Sequence, residues 1–170
     1  MDHIDKSDIF LAAIKCNKGI VYKVANTYCK DVEDRKDLVQ EIILQLWRSF
    51  DKYDNNFKQS TWIYRVSLNV AISFYRKENS RKKISNPYSG KIFDFAVADC
   101  LEDKQTELGI LQKMISQLKD LDKALMLLFL EEKSHKEISQ IMGISETNVA
   151  TKINRIKNNL RKNFALLKNQ

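Results

Sequence analysis

Proline and glycine, the residues that most often interrupt helices, are nearly absent from this chain of 170 residues. There are one proline and four glycines, and all of them except Gly19 lie at candidate junctions: Pro87, Gly90, Gly109 and Gly143. Long segments are therefore free of breakers, and apolar residues within them recur at helical spacing. We predict an all-α fold, in one domain or two small ones.

Cysteine and histidine are also scarce, and their positions form no pattern of metal ligands or disulfide partners. We therefore expect reduced cysteines, no metal and no cofactor. A P-loop and a nucleophile paired with a base are lacking too, which disfavours an enzyme and a small-molecule substrate. The chain also lacks an apolar run of the roughly 18 residues that a membrane span needs, so we expect a cytoplasmic protein without membrane insertion.

Positive charge is in excess, with 29 Lys and Arg against 22 Asp and Glu and a formal net charge of +7. Such an excess favours a polyanionic partner, either nucleic acid or an anionic membrane surface. The cations cluster on predicted helices that also have hydrogen-bonding side chains. That combination favours nucleic acid.

A helix-turn-helix is predicted from Ser134 to Lys162. Ser134 and Glu137 have the spacing of a capping box, which marks the start of a first helix. Gly143 can adopt the positive φ that ends such a helix, and Ser145 can cap a second one. The two helices are separated by only a few residues.

The second helix of this motif has two unlike faces. One is an apolar stripe that should pack inward: Val149, Ile153, Ile156, Leu160, Phe164 and Leu167. The other has short polar side chains flanked by cations: Thr147, Thr151, Asn154, Asn158, Arg155 and Arg161. Amides and hydroxyls can contact base edges in a major groove while cations contact phosphates, so we favour DNA binding over a merely solvated helix.

The segment from Val32 to Phe50 predicts a helix with one apolar face and one mixed face. The expected core positions are Val39, Ile42, Ile43, Leu46 and Phe50. The opposite face combines an apolar centre with polar neighbours: Asp37, Gln40, Glu41, Leu44 and Arg48. Acids outnumber bases around it, so this face should bind protein rather than DNA.

A polar, turn-prone stretch from 51 to 59 precedes a helix predicted from Ser60 to about Lys83, which is apolar on more than one side. Its expected core positions are Trp62, Ile63, Val66, Val70 and Phe74, with Tyr64 and Tyr75 elsewhere on the surface. A line of Arg65, Asn69 and Arg76 borders Trp62. Aromatic rings beside cations and an amide suit the binding of unpaired bases, but the same aromatics are equally compatible with an ordinary core.

Helical spacing fails between Ile84 and Asp103, which predicts a linker, and returns from Leu108 onward. Three segments in this order resemble bacterial RNA polymerase sigma factors of the extracytoplasmic-function (ECF) group. They are Asp37 to Trp47 (DLVQEIILQLW), Ser60 to Lys83 (STWIYRVSLNVAISFYRKENSRKK) and Leu118 to Lys162. The resemblance covers nearly all of the chain.

The resemblance implies two helical domains, at 1–84 and 106–170, joined by a flexible linker at 85–105. It also implies three sets of site residues. Those for polymerase, at the clamp helices of its β′ subunit, are Asp37, Gln40, Glu41, Leu44 and Trp47. Those for the minus-ten promoter element are Lys58, Trp62, Arg65, Asn69, Tyr75 and Arg76. Those for the minus-thirty-five element are Thr147, Asn148, Thr151, Lys152, Asn154, Arg155, Lys157 and Arg161.

The implied function is promoter-specific transcription initiation without catalysis by this chain. The implied partners are core RNA polymerase, promoter DNA as duplex and as melted strand, and an anti-sigma factor. The alternative is a conventional helix-turn-helix regulator, which would bind duplex DNA as a dimer without polymerase.

Overall fold

The computed structural model describes residues 6–53, 56–85 and 107–168. These residues form α-helices and one short 3₁₀ turn at Phe50–Lys52, and they include no β-strand, which confirms the predicted all-α fold. None of the described helices is long and apolar enough to span a bilayer. The helices are α1 (Lys6–Tyr28), α2 (Val32–Ser49), α3 (Gln59–Ser85), α4 (Glu107–Ser116), α5 (Asp120–Leu130), α6 (His135–Met142) and α7 (Glu146–Lys168).

The chain divides into two compact units, Met1–Arg81 and Lys82–Gln170. Helices α1 and α2, and α3 as far as Arg81, belong to the first unit, and α4 to α7 belong to the second. Helix α3 continues to Ser85, and the rest of the linker predicted at 85–105 lies outside the described residues.

In the N-terminal unit, α1 is one continuous helix, and α2 begins where the Asp31 carboxylate accepts from two backbone N–H groups of the first turn. The donors are the amides of Glu33 at 2.9 Å and Asp34 at 3.0 Å. The fully buried positions of α2 are Leu38, Ile42 and Leu46. The buried face of α2 therefore includes Leu38, whereas the predicted face included Val39 and Ile43 instead.

Helix α3 buries a different face from the one that its sequence was expected to bury. The prediction was correct for Ile63 but wrong for the rest, because Trp62, Val66, Val70 and Phe74 are only half-buried. Tyr64, expected on the surface, is 2% exposed. The buried positions are Thr61, Ile63, Tyr64, Ser67, Leu68, Ala71 and Ile72. Since α3 is apolar on several sides, its neighbours decide which side is enclosed.

The C-terminal unit has the predicted helix-turn-helix in α6 and α7. The Ser134 hydroxyl accepts from the Glu137 N–H at 3.2 Å, and the Glu137 carboxylate accepts from the Ser134 N–H at 3.1 Å, so the capping box is confirmed. Gly143 ends α6 with φ 68°, a left-handed conformation. Ser145 Oγ then accepts from the Asn148 N–H at 3.2 Å.

The inward stripe predicted for α7 is also confirmed. Phe164 is half-buried, the Leu167 side chain lies outside the described residues, and four residues of the stripe are at most 8% exposed: Val149, Ile153, Ile156 and Leu160. They belong to the same unit as Leu125 and Leu128 of α5 and Ile138 and Ile141 of α6, which are likewise buried. With this side enclosed, the polar side of α7 is exposed to solvent.

Candidate nucleic-acid and protein interfaces

An open groove of about 820 Å³ lies between α2 and α3 in the N-terminal unit. We call it the α2–α3 groove. Its α2 wall consists of Asp37, Gln40, Glu41, Leu44, Gln45 and Ser49. Its α3 wall consists of Val66, Asn69, Val70, Ser73, Phe74, Lys77, Glu78 and Arg81. Four of the five residues predicted to contact polymerase therefore line one groove together.

The groove combines an apolar strip with carboxylates on its α2 side and both cations and a carboxylate, Glu78, on its α3 side. Leu44, 41% exposed, faces the same space as Val70 and Phe74. Asp37 and Glu41 supply carboxylates from α2, whereas Lys77 supplies an ammonium group from α3. An apolar strip with a polar rim is the usual anatomy of a protein-binding surface. Sequence alone predicted only the α2 wall, because the apolar residues of the α3 wall, Val66, Val70 and Phe74, were assigned to the core.

Trp47, the fifth residue predicted to contact polymerase, is not among the lining residues of the groove. Its half-buried ring packs edge-on against Phe10, with centroids 5.0 Å apart. On α1, Lys6 also places its Nζ 4.8 Å from the centre of the Trp47 ring. These contacts join α1 to α2, so part of the Trp47 surface is engaged within the fold.

The residues predicted for the minus-ten element fall into an exposed group and a packed group. Lys58, Arg65, Asn69 and Arg76 are exposed and follow one side of the α3 region at helical spacing. We call Arg65, Asn69 and Arg76 the α3 row. Asn69 also lines the α2–α3 groove, so it lies at the border between the two surfaces.

The two aromatic residues of this set occupy different environments. Trp62 is half-buried beside the α3 row, with its ring centroid 5.1 Å from that of Tyr53 and 6.1 Å from that of Phe50. Tyr75 packs its ring edge-on against Tyr28 of α1, with centroids 6.2 Å apart. At about 100° per residue, Tyr75 lies about 100° around α3 from Arg76. The structure therefore brings Trp62, but not Tyr75, next to the α3 row.

The residues predicted for the minus-thirty-five element divide into a central face and two flanks of α7. The exposed members are Thr147, Asn148, Thr151, Asn154, Arg155 and Arg161. Lys152 and Lys157 are half-buried at the flanks. The Thr151 hydroxyl donates to the Thr147 carbonyl at 2.9 Å, so its oxygen remains able to accept from a base. We call the exposed members the α7 face.

Two cations of α7 contact α5, which the sequence analysis did not foresee. The guanidinium of Arg155 lies 3.9 Å from a carboxylate oxygen of Asp122. Nζ of Lys157 lies 5.1 Å from the centre of the Phe129 ring. Both contacts join residues that are distant in sequence, so helical periodicity gave no signal for them.

Lys123 is a buried cation of the C-terminal unit that the sequence analysis also missed. It is 4% exposed, and burial lowers the pKa of its ammonium below the usual 10.5, while the charge of Asp120 opposes that shift. The available signal was a lysine just before the apolar run LMLLFL.

Within the described residues, no group of His, Cys, Asp or Glu is arranged to hold a metal ion.

Family comparisons match both units. The model for Sigma-70 region 2 matches residues 13–81, and the model for Sigma-70 region 4 matches residues 108–160. The first range lies in the unit with the α2–α3 groove, and the second contains the helix-turn-helix. The two units are therefore those of a sigma-70-type transcription initiation factor.

Individual relatives define the group more narrowly. The ECF RNA polymerase sigma factor SigM of Bacillus subtilis (strain 168) is 30% identical over 144 residues, which are 83% of this chain and 86% of that protein. The ECF RNA polymerase sigma factor SigW of the same organism is 28% identical over 165 residues, 91% of this chain and 88% of that protein. The chain belongs to the ECF group of RNA polymerase sigma factors.

Solved structures support the same fold. The sigma factor RpoE, in complex with the anti-sigma factor NepR from Bartonella quintana, has a TM-score of 0.67 at 16% identity and covers 90% of this chain and 94% of that chain. CnrH, in complex with the cytosolic domain of CnrY, has a TM-score of 0.63 at 17% identity, and the match covers 95% of this chain and 88% of the CnrH chain.

Membership of this family confirms the sigma-factor interpretation. The protein binds core RNA polymerase and directs promoter-specific transcription initiation, and sigma factors are non-catalytic initiation factors. The alternative of a dimeric helix-turn-helix regulator does not account for the region 2 match over α1 to α3.

Proposed function

We propose that the α2–α3 groove is the surface that docks on core RNA polymerase, at the clamp helices of its β′ subunit. The observation that carries this proposal is that Leu44 shares the groove with Val70 and Phe74, although it stands among exposed polar residues of α2. A helical partner can bury an apolar seam in such a groove and pair its charged flanks with the rim. Asp37 and Glu41 would then favour a partner with cations on one side.

The α3 row and Trp62 form the surface for the melted minus-ten strand in this proposal. Arg65 and Arg76 are placed to contact phosphates, and the Asn69 amide can pair with the edge of an unstacked base. Stacking on an aromatic side chain is worth about 1 to 3 kcal/mol per base. Because flipped bases are available only after melting, their capture favours the open promoter without consuming fuel.

The α7 face is the surface for duplex DNA at the minus-thirty-five element. Its exposed amides and hydroxyls suit base edges in the major groove, while Arg155 and Arg161 add positive charge at the sides. Lys152 and Lys157, at the flanks, suit contacts to phosphate. The rings of Tyr75 and Trp47 pack against α1, so these two residues stabilise the N-terminal unit as well as making any contact with a partner.

We further propose that the chain has no catalytic activity of its own and works in the cytoplasm, where core polymerase and promoter DNA are found. An anti-sigma factor is the expected inhibitor, because the structural relative RpoE is bound to the anti-sigma factor NepR. Covering the α2–α3 groove would be enough to block docking on polymerase.

The direct test is to add the purified protein to core RNA polymerase and to map transcript starts across genomic DNA of the source organism. We expect starts at a defined set of sites that share upstream elements, and none with core enzyme alone. Transcription that is unchanged by the protein at every site would contradict the proposal.

A matched pair of substitutions separates the two DNA surfaces. Asn69→Ala should reduce strand opening, measured by permanganate reactivity of unpaired thymines, more than it reduces upstream footprinting. Asn154→Ala should weaken the upstream footprint first. If the two variants lose both signals to the same extent, the assignment of separate surfaces is wrong.

A further inference from the structure

Helix α5 contacts the DNA-facing helix α7 at two of its cations, Arg155 on the α7 face and Lys157 on a flank of that face. Asp122 is 20% exposed in its side chain and approaches Arg155, which is 61% exposed, with a distance of 3.9 Å between Oδ1 and Nη2. The Phe129 ring lies under the Lys157 ammonium, 5.1 Å from ring centre to Nζ. Asp122 and Phe129 are both on α5, seven positions apart.

At about 100° per residue, Arg155 and Lys157 point to sides of α7 that differ by about 200°. The α5 contacts therefore act at two separate places, one on the α7 face and one on its flank. Neither contact is needed to close the core, which consists of the apolar stripe beneath. An ion pair as exposed as this one also adds little to folding stability.

We propose that Asp122 is a positioning residue that determines sequence specificity at the minus-thirty-five element by orienting Arg155. This inference rests on the proposed function, in which the α7 face contacts duplex DNA. An arginine discriminates a guanine when its planar guanidinium presents two donors in one plane to the base edge. At 3.9 Å, beyond hydrogen-bond distance, the Asp122 carboxylate attracts the guanidinium toward α5 by its charge and leaves the N–H donors for DNA.

Without this carboxylate, the long Arg155 side chain can turn to the nearest phosphate, which offers charge but no sequence information. Asp122 also repels the DNA backbone, so it lowers the affinity for sequences in which Arg155 meets no suitable base. Both effects have the same direction. Asp122 thus reduces binding to wrong sites more than binding to correct ones.

Phe129 acts on Lys157, at the flank of the α7 face, and affects affinity rather than specificity. A cation over an aromatic face is held at one place without losing a hydrogen-bond donor to a carboxylate. Lys157 therefore keeps its full charge for a phosphate at that edge of the α7 face. This contact should raise affinity for all sequences equally.

The test uses the full chain assembled with core polymerase, and promoters from the transcript-start mapping in which each base pair of the minus-thirty-five element is varied in turn. Asp122→Asn should lower the discrimination at one or two positions by about fivefold or more, since one bidentate contact is worth about 1 to 3 kcal/mol. The slope of log affinity against log salt should steepen by up to about 1 as Arg155 gains a phosphate contact. Asp122→Glu, which keeps the carboxylate, should retain most of the discrimination.

Two further variants keep the outcomes distinct. Arg155→Ala should abolish discrimination at the same positions, whereas Phe129→Leu should weaken binding to all promoters alike. If Arg155→Ala has no effect, the proposed DNA contact of Arg155 fails. If Arg155→Ala has that effect but Asp122→Asn keeps normal discrimination, or only lowers the melting temperature, the positioning role of Asp122 is wrong and the proposed function stands.

Discussion

Leu44 of α2 and Phe74 of α3 line the same groove, although no periodic pattern in the sequence relates them. Leu44 is an apolar residue on the exposed side of α2, and Phe74 is a half-buried ring that helical spacing had assigned to the core of α3. Because α2 and α3 lie side by side here, the patch around Leu44 forms one wall of a groove and α3 forms the other. The first two predictions follow from this arrangement.

Leu44→Arg should weaken binding to core polymerase by about 30-fold or more, because truncating or blocking the apolar centre of an interface typically costs 2 kcal/mol or more. The side chain is 41% exposed, so helix content and stability should change little. Leu11→Arg on α1 is the matched control, since Leu11 is 62% exposed and lies outside the groove. Fluorescence anisotropy of the labelled protein with core enzyme measures both. Equal affinities for the two variants would argue against docking in the groove.

Val70→Ala should cost less than about 1 kcal/mol of stability, because Val70 faces the groove and its removal leaves no closed cavity. Val24→Ala is the same substitution at a position that is 0% exposed, and should cost about 2 kcal/mol. Both tryptophans, Trp47 and Trp62, lie in the N-terminal unit, so urea unfolding followed by tryptophan fluorescence reports on that unit. A larger loss of stability for Val70→Ala than for Val24→Ala would mean that Val70 is a core residue, as the sequence pattern predicts.

Gly143→Ala should destabilise the C-terminal unit by about 1 kcal/mol, because φ 68° is costly for any residue with a Cβ atom. Nothing lies within 4 Å of the added atom, so the cost is conformational rather than steric. Gly19→Ala in the middle of α1 also meets open space but has no positive φ, and should stabilise its unit by about 0.5 to 1 kcal/mol. Hydrogen exchange resolved by helix measures each unit separately. Opposite signs are expected, and a loss at both sites would contradict the prediction.

Lys123→Met should stabilise the C-terminal unit at neutral pH and remove part of its pH dependence. Burial lowers the pKa of Lys123 in the folded chain, so between that lowered pKa and 10.5 the unfolded chain binds the proton more strongly. The stability of the unsubstituted unit should therefore rise with pH across this window, and the advantage of Lys123→Met should shrink.

The measurement is urea unfolding followed by far-ultraviolet circular dichroism at several pH values up to about 10.5, the ordinary lysine pKa. Lys119→Met is the control, because Lys119 is exposed on the same segment. An advantage of Lys123→Met that grew with pH would have the wrong sign for a lysine whose pKa is lowered by burial.

Local features of this chain were predictable from sequence because they depend on residues within one or two helical turns. The capping box of Ser134 and Glu137, the left-handed Gly143 and the cap at Ser145 are each closed by near neighbours. The inward stripe of α7 was predictable for a related reason, since that helix is apolar on one side alone. The mixed face of α2 was also placed correctly, with Leu44 exposed among its polar neighbours.

The buried side of α3 could not be predicted in this way. That helix has apolar residues around most of its circumference, and a pattern that allows several orientations cannot select one. The packing of α3 against the rest of its unit decides it, and the contact of Tyr28 with Tyr75 and the hydrogen bond from Asn17 to Gln59 at 3.2 Å belong to that packing. As a result Tyr64 is buried and Val70 lines the groove.

The sequence by itself determined an all-α chain with a capped helix-turn-helix, an acidic patch around Leu44 and a row of cations on α3. These properties are set by the order of residues along single helices. Only the tertiary structure decided which helix faces meet: that α3 supplies the second wall of the groove, and that Asp122 and Phe129 of α5 contact two cations of α7. The reason is that such contacts join residues far apart in sequence, whose distance depends on how whole helices pack.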